Sequence, residues 1–196
     1  IAWAEYVKPY AQRCLESICI SDLCPRMSTR TYQRWSPSQW AEYEILDSGD
    51  GARLERFGPV VLERPDPGAM WPRRLTVADW DRANAHFEPT GKSTGYWVKH
   101  GSAKDRWNMN YKSDRLNLTF QLEMTKFKHV GLFPEQAENW EYIAEHLKPG
   151  NRFLNLFAYT GGASIAARAA GADVTHVDAI RQVIDWTRVN MELSGL

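Results

Sequence analysis

The chain has 196 residues, with 24 Lys and Arg against 24 Asp and Glu, so its formal net charge at pH 7 is zero. This balance excludes a protein that attracts polyanions through its overall charge. Hydrophobic residues make up 43% and charged residues 24%, which is typical of a globular protein. No apolar run is long enough to span a bilayer and no signal-peptide pattern opens the chain, so we expect a cytoplasmic protein without a membrane partner.

Residues 1–38 form an N-terminal leader with little pattern. Its three cysteines, Cys14, Cys19 and Cys24, recur at intervals of five and contain no CxxC pair. The first histidine of the chain is His86, far from these thiols. Reduced thiols are therefore the favoured interpretation and a structural zinc site the less favoured one, so we expect no metal.

The segment from residue 39 to 132 has the pattern of a small β-rich or α+β domain. In "YEILDSGDGARLERFGPVVLERPDP", two apolar runs flank the turn signal Ser48–Gly51, and Pro65–Pro67 stops the pattern. Thr76 or Asp79 is expected to begin a short helix. The stretches "GYWVKHG", "RWNMNYK" and "LNLTFQLEM" alternate between apolar and polar residues, which predicts three further strands.

From residue 133 to 196 the pattern changes to alternating helices and strands. The sequence predicts helix 134–147, strand 152–157, helix 162–170, strand 173–177 and helix 179–194. Strands that alternate with helices of this length indicate a parallel sheet covered by helices. The fold class expected here is α/β, with the first part of a Rossmann-like sheet.

The loop after the first of these strands, within "RFLNLFAYTGGASIAARAAGADVTHVDA", indicates a ligand site. A glycine turn at a parallel strand's carboxyl end presents backbone N–H groups, and Asp178 closes the next strand, where it could bind ribose hydroxyls. The first two glycines of a dinucleotide fingerprint are replaced by Ala158 and Thr160, which argues against NAD. S-adenosylmethionine carries no phosphate and needs less close backbone approach. The alternative is an ordinary turn followed by a solvated aspartate.

A second phosphate-loop candidate, "GKST" at residues 91–94, is dismissed. The glycine required five residues before Gly91 is replaced by His86, and no apolar strand leads into the loop.

Three blocks, "TKFKHVGLFPEQAENW", "NLFAYTGGASIAA" and "VTHVDAIRQVIDWTRVNMELSGL", resemble bacterial class I S-adenosylmethionine-dependent methyltransferases related to the 23S rRNA cytosine-C5 methyltransferases. The resemblance covers about residues 40–196 and implies S-adenosylmethionine as cofactor. It implies that the cofactor is bound by Lys128, Phe133, Pro134, Gln136, Asn155, Phe157, Ala158, Tyr159, Thr160, Gly161, Gly162, Asp178 and Ala179.

The sequence departs from that family in two ways. The family sheet has seven strands and an Asp/Asn-Pro-Pro motif beside the target base, whereas none of the ten prolines here precedes another. A cytosine-C5 enzyme also needs a thiolate, and all three cysteines lie in the leader, so the catalytic residue stays unknown. We expect residues 1–196 alone to lack methyl transfer, and the remainder of the same polypeptide or a second chain to cover the open sheet edge.

Residues 92–128 form a basic, aromatic stretch with eight Lys or Arg and three acids. Lys104, Arg106 and Lys112 are the candidate RNA contacts, and interleaved aromatic residues could stack on bases. The alternative is a hairpin with aromatic side chains in the core and solvated lysines. The leading hypothesis is a methyltransferase acting on an rRNA base. The competing one is a non-catalytic RNA-binding module with a vestigial cofactor half.

Overall fold

The computed structural model describes residues 40–91 and 94–196. The leader with its three cysteines, residue 39, and Lys92 and Ser93 of the basic stretch lie outside the described residues. Within the described part, no helix is both long and apolar enough to cross a bilayer.

Five strands form the N-terminal sheet, in the order in which they occur in the chain. They are β1 (Tyr43–Gly49), β2 (Ala52–Phe57), β3 (Val60–Pro65), β4 (Ala85–Pro89) and β5 (Gly95–Lys99). All neighbours are antiparallel except β3 and β4. Asp50 and Gly51 both have positive φ, 49° and 77°, which is the backbone that a two-residue hairpin turn requires.

The expected turn at Ser48–Gly51 is therefore confirmed, and a second turn lies where none was expected. Gly58 and Pro59 separate β2 from β3. Residues 43–65 therefore form three strands, whereas the two apolar runs of the sequence indicated two. The short helix α1 (Val77–Trp80) begins as expected after Thr76, whose side chain accepts a hydrogen bond from the backbone N–H of Asp79. The Asp79 side chain caps Thr76 in return, and this reciprocal capping fixes the start of the helix.

The hairpin of β6 (Arg106–Lys112) and β7 (Asn117–Glu123) supplies much of the core. Side chains alternate strictly between buried and exposed along β6. The buried face carries Trp107, Met109 and Tyr111, and the facing strand buries Leu118, Phe120 and Leu122. Three of the interleaved aromatic residues thus belong to the core, as the hairpin alternative expected, whereas Tyr96 and Phe127 are exposed.

The C-terminal part alternates helices and strands as expected from the sequence. A 3₁₀ turn (Pro134–Gln136) leads into α2 (Ala137–His146), followed by β8 (Arg152–Leu156), α3 (Gly162–Ala169), β9 (Asp173–Val177) and α4 (Arg181–Leu193). Strands β8 and β9 are adjacent and parallel, with Leu154 opposite Thr175. The α/β class is confirmed, and the predicted bounds differ from the observed ones by no more than three residues.

One face of the β8–β9 pair is covered and the other is open. Ile165 and Ala166 of α3 are fully buried on the covered side. On the open face Leu154, Leu156 and Val177 are 59%, 55% and 45% exposed. The described residues therefore leave an apolar sheet face in contact with solvent.

Helix α4 covers the free edge of β7. Trp186 donates to the Gln121 carbonyl at 2.9 Å, and Asn190 accepts from the Gln121 N–H at 2.8 Å. Ser194, which follows the helix, exchanges two hydrogen bonds with the Thr119 backbone at 3.0 and 3.2 Å. The three side chains are spaced by four residues, so they lie on one face of the helix and satisfy the strand edge as a neighbouring strand would.

A single core includes residues from both sides of position 132. Phe57 and Phe120 pack in the same cluster as Trp140 and Ile165. The domain boundary expected between residues 132 and 133 stays a prediction.

Candidate functional site

A cleft of about 450 Å³ lies at the carboxyl end of β8. One wall is the loop from Phe157 to Thr160, and the other is the segment around Leu132 and Trp140. Ligands bind at this edge of parallel sheets, because the loops that follow the strands converge there. The lining residues are Leu132, Phe133, Glu135, Gln136, Trp140, Asn155, Phe157, Ala158, Tyr159, Thr160, Gly162 and Ala163.

The loop between β8 and α3 has an unusual backbone. Phe157, Tyr159 and Gly161 have φ angles of 57°, 51° and 91°, which lie in the left-handed region. For a bulky residue that conformation costs on the order of 1–2 kcal/mol. The side chain of Phe157 is also 93% exposed. A strained loop that holds a large apolar side chain in solvent is the kind of feature found at ligand sites.

Two glycines of this region meet different requirements. A Cβ on Gly161 would lie 2.4 Å from the Thr187 methyl carbon, and its φ is also positive. A Cβ on Gly162 would lie 2.7 Å from the Trp140 ring. The double glycine therefore allows the loop to contact both α2 and α4 closely.

Asp178 connects the ends of the two parallel strands. One carboxylate oxygen accepts from the Tyr159 N–H and the other from the Ile180 N–H, both at 2.9 Å. The Ile180 N–H is the largest cause that holds the pKa of Asp178 below its ordinary value, with the Tyr159 N–H acting in the same direction and burial opposing. The carboxylate is therefore charged at neutral pH, and each oxygen has a remaining lone pair for a ligand.

A chain of polar side chains lies beneath the loop. The Asn155 amide donates to the Ser164 hydroxyl at 2.9 Å, and that hydroxyl is 2.9 Å from Nδ1 of His176. Because Ser164 Oγ accepts from Asn155, its own proton is available to His176. Burial lowers the pKa of His176, and the nearby Asp178 charge opposes that shift. Neutral His176 thus links β9 to the first turn of α3.

A second set of contacts ties the loop to the segment before α2. The Thr160 hydroxyl donates to the Gly131 carbonyl at 2.6 Å. The Thr160 carbonyl accepts from the buried Asn190 amide at 3.0 Å, and the same side chain bonds Gln121. Hydrogen bonds to Thr160 therefore fix the loop relative to the opposite wall of the cleft.

The structure brings most of the predicted cofactor residues together. Those that line the cleft are Phe133, Gln136, Asn155, Phe157, Ala158, Tyr159, Thr160 and Gly162. Those outside its lining are Lys128, Pro134, Gly161, Asp178 and Ala179. Trp140 was missed, although it follows Gln136 by four residues on an expected helix, and that spacing would have placed it on the same face.

The three candidate RNA contacts lie away from this cleft. Lys104, Arg106 and Lys112 are all exposed. Arg106 forms an ion pair with Glu123, with Nε 2.9 Å from Oε2, and Lys104 lies in a separate depression beside Trp107. Their role stays a prediction.

Comparison with known proteins gives consistent results. A solved structure described as a SAM-dependent methyltransferase from Agrobacterium tumefaciens superposes with a TM-score of 0.72 at 37% identity, covering 81% of this chain and 50% of that one. A relative from Allochromatium vinosum, named ribosomal RNA large subunit methyltransferase K/L, is 39% identical over 172 residues, 84% of this chain. A protein of the same name from Shewanella frigidimarina is 29% identical over 142 residues, 72% of this chain.

The chain spans only a small part of those two relatives, 20% and 18% of their lengths. The family model for S-adenosylmethionine-dependent methyltransferases matches residues 86–196, which is more than half of the chain. The chain therefore belongs to the S-adenosylmethionine-dependent methyltransferase family.

Proposed function

We propose that the protein transfers a methyl group from S-adenosylmethionine to a base in RNA, with ribosomal RNA as the acceptor. The observation that carries this proposal is Asp178, which joins the ends of two adjacent parallel strands beside the cleft. A carboxylate at this position suits the two hydroxyls of a ribose.

The cleft fits this donor in size and chemistry. Its volume of about 450 Å³ lies in the range of small-molecule sites. Its lining contains the aromatic residues Phe133, Trp140, Phe157 and Tyr159, and no Lys or Arg is among the lining residues that the structure describes, which suits a ligand without phosphates. When bound, S-adenosylmethionine supplies an electrophilic methyl group on a cationic sulfonium. Aromatic faces attract cations, so these side chains could favour that charge.

The protein's contribution to such a reaction is mostly positioning. Thr160 and Asn190 hold the loop against the neighbouring segment, and Asp178 holds it against β9. A preformed site reduces the entropy lost when the reacting groups meet. These residues would fix the donor, and a target base within a duplex would have to be flipped out to reach it.

The RNA acceptor is supported by the names of the two ribosomal RNA methyltransferase relatives. The exposed Lys104, Arg106 and Lys112 are proposed to contact its phosphates. An RNA acceptor makes a cytoplasmic location part of the proposal.

Methyl transfer can be tested with the full-length natural protein, tritiated S-adenosylmethionine and deproteinised ribosomal RNA. The parent should label the RNA, and Asp178→Ala should reduce the rate at limiting donor concentration. Asp173→Ala is the matched control, because Asp173 is an exposed aspartate at the other end of the same strand. Absence of label from the parent, or equal rates for both variants, would contradict the proposal.

The RNA contacts need a separate measurement. Replacing Lys104, Arg106 and Lys112 together should weaken RNA binding and flatten its dependence on salt. Each phosphate contact releases counterions when RNA binds, so a variant with fewer contacts releases fewer of them. The matched control replaces the exposed Arg152, Arg181 and Arg188. Equal salt slopes for the lysine-arginine variant and the parent would place the RNA site elsewhere.

A further inference from the structure

A second, smaller cavity of about 150 Å³ lies beside the cleft. The two share Leu132, Phe133 and Glu135 in their linings. The smaller one additionally has four basic side chains in its lining: Arg53, Arg64, Lys128 and His129. It lies between the N-terminal sheet and the segment that precedes α2, so it differs from the cleft in both position and charge.

Arg64 organises this cavity. Its guanidinium makes two hydrogen bonds to the fully buried Glu55, at 2.7 and 2.8 Å. A third nitrogen donates to the Lys128 carbonyl at 3.2 Å. The charge of Arg64 is therefore neutralised by Glu55, and its remaining donor fixes the backbone of Lys128.

Lys128 has no carboxylate partner within ion-pair distance in the described part of the chain. Its ammonium group is half-buried and donates to the Pro65 carbonyl at 3.2 Å. A half-buried ammonium with a single carbonyl partner has unused donors and an uncompensated charge, which makes an anion favourable there.

Arg53 contributes a donor that lacks a hydrogen-bond partner among residues 40–91 and 94–196. Its Nε is buried and makes no hydrogen bond to any described residue. The nearest carboxylate oxygens are Asp66 Oδ2, 3.3 Å from Nε, and Glu55 Oε1, 3.8 Å from Nη1. Asp66 therefore balances the charge of Arg53, but the Nε proton has no hydrogen-bond acceptor among the described residues and is available to a ligand.

His129 reports the electrostatic field in the cavity. Burial is the largest cause that lowers its pKa, and the positive charges of Arg64, Lys128 and Arg53 add to that shift, with the Glu55 charge opposing it. Glu135 is the one carboxylate among the described lining residues, and it is exposed at the side shared with the cleft. The inner part of the cavity is therefore electropositive.

We propose that this cavity binds a phosphate of the RNA acceptor beside the target nucleotide, through Lys128 and Arg53. The assignment of the phosphate to RNA rests on the proposed function. The donor's carboxylate is the other anion that could be bound nearby. Lys128 and Arg53 lie outside the described lining of the cleft, and the test below distinguishes the two anions.

The test measures RNA and donor-product binding separately in the same full chain. Lys128→Met and Arg53→Gln should each weaken binding of a single-stranded RNA oligonucleotide about tenfold and lower its salt slope by about 0.7. In Arg53→Gln, binding of S-adenosylhomocysteine should stay within about twofold of the parent. Lys126→Met is the matched control, because Lys126 is exposed in the same segment, and it should change neither affinity. If Arg53→Gln unfolds, as circular dichroism would show, Lys128→Met decides alone.

Three results would overturn the assignment. Unchanged RNA affinity and salt slope in Lys128→Met would show that the cavity binds no RNA phosphate. Loss of S-adenosylhomocysteine binding with RNA binding intact would assign the cavity to the donor's carboxylate. Inorganic phosphate that binds the parent but fails to displace RNA would assign it to free phosphate. Failure of the parent to bind S-adenosylhomocysteine would instead count against the proposed function, so the two failures are distinguishable.

Discussion

Asn190→Ala should destabilise the protein and loosen the cleft together. The side chain is fully buried, donates to the Thr160 carbonyl at 3.0 Å and accepts from the Gln121 N–H at 2.8 Å. Alanine removes both bonds and leaves two backbone groups without a partner, at about 1–3 kcal/mol each. Its better helix propensity returns about 0.5 kcal/mol. We expect the free energy of unfolding to fall by about 1.5–5.5 kcal/mol, measured by urea unfolding with tryptophan fluorescence.

Two further variants separate the role of this amide from a general effect of substitution. Asn190→Asp keeps an acceptor for Gln121 but places a negative charge against the Thr160 carbonyl, so it should destabilise at least as much as alanine. Glu192→Ala, exposed on the same helix, should stay within about 0.5 kcal/mol of the parent. A loss below about 1 kcal/mol for Asn190→Ala, or a neutral Asn190→Asp, would show that the Asn190 amide does not stabilise these two backbone groups.

Three more predictions address the loop, the polar chain and the buried ion pair. Gly161→Ala should lower the free energy of unfolding by about 1–3 kcal/mol and weaken donor binding. Adding Thr187→Ser to that variant removes the clashing methyl group and should restore part of the stability and part of the donor affinity. A proton on His176 would break its bond from Ser164. Because the pKa of His176 is lowered in the fold, the unfolded chain takes up protons first. Stability should therefore fall as pH drops below about 6.5, and less steeply in His176→Gln; equal pH profiles in urea unfolding would contradict this. Glu55→Ala should cost about 3–5 kcal/mol in the same assay because it leaves buried Arg64 unpaired, whereas loss of about 1 kcal/mol or less would mean that Arg64 finds another partner.

The C-terminal elements were predictable because their signals are local. Each strand from residue 152 onward is a short apolar run, each helix is bounded by Pro, Gly or an acidic residue, and the glycine turn lies between them. The turn at Gly58–Pro59 was missed although a Gly-Pro pair is a local turn signal, because residues on both sides of it were assigned to one apolar run. Local pattern alone therefore defined the site region but not every element around it.

Contacts between distant residues could not be predicted in this way. The link from Asn190 to Gln121 joins residues 69 positions apart, and the Arg64 contact with the Lys128 backbone joins residues 64 apart. The second function of Asp178, as an acceptor for two backbone N–H groups, also depends on how the loop turns. Such pairs are determined by the packing of the sheet against the helices, for which the sequence carries no local signal.

The cleft between the Phe157–Gly162 loop and α2 is proposed to bind the methyl donor, with Asp178 holding its ribose. Calorimetric titration of S-adenosylhomocysteine into the full chain tests it most directly. We predict one binding site, with affinity reduced about 5- to 150-fold in Asp178→Ala, as expected for a lost charge-assisted hydrogen bond, and unchanged in Asp173→Ala. Equal affinity in Asp178→Ala and the parent, with both proteins folded by circular dichroism, would show that the ribose is bound elsewhere.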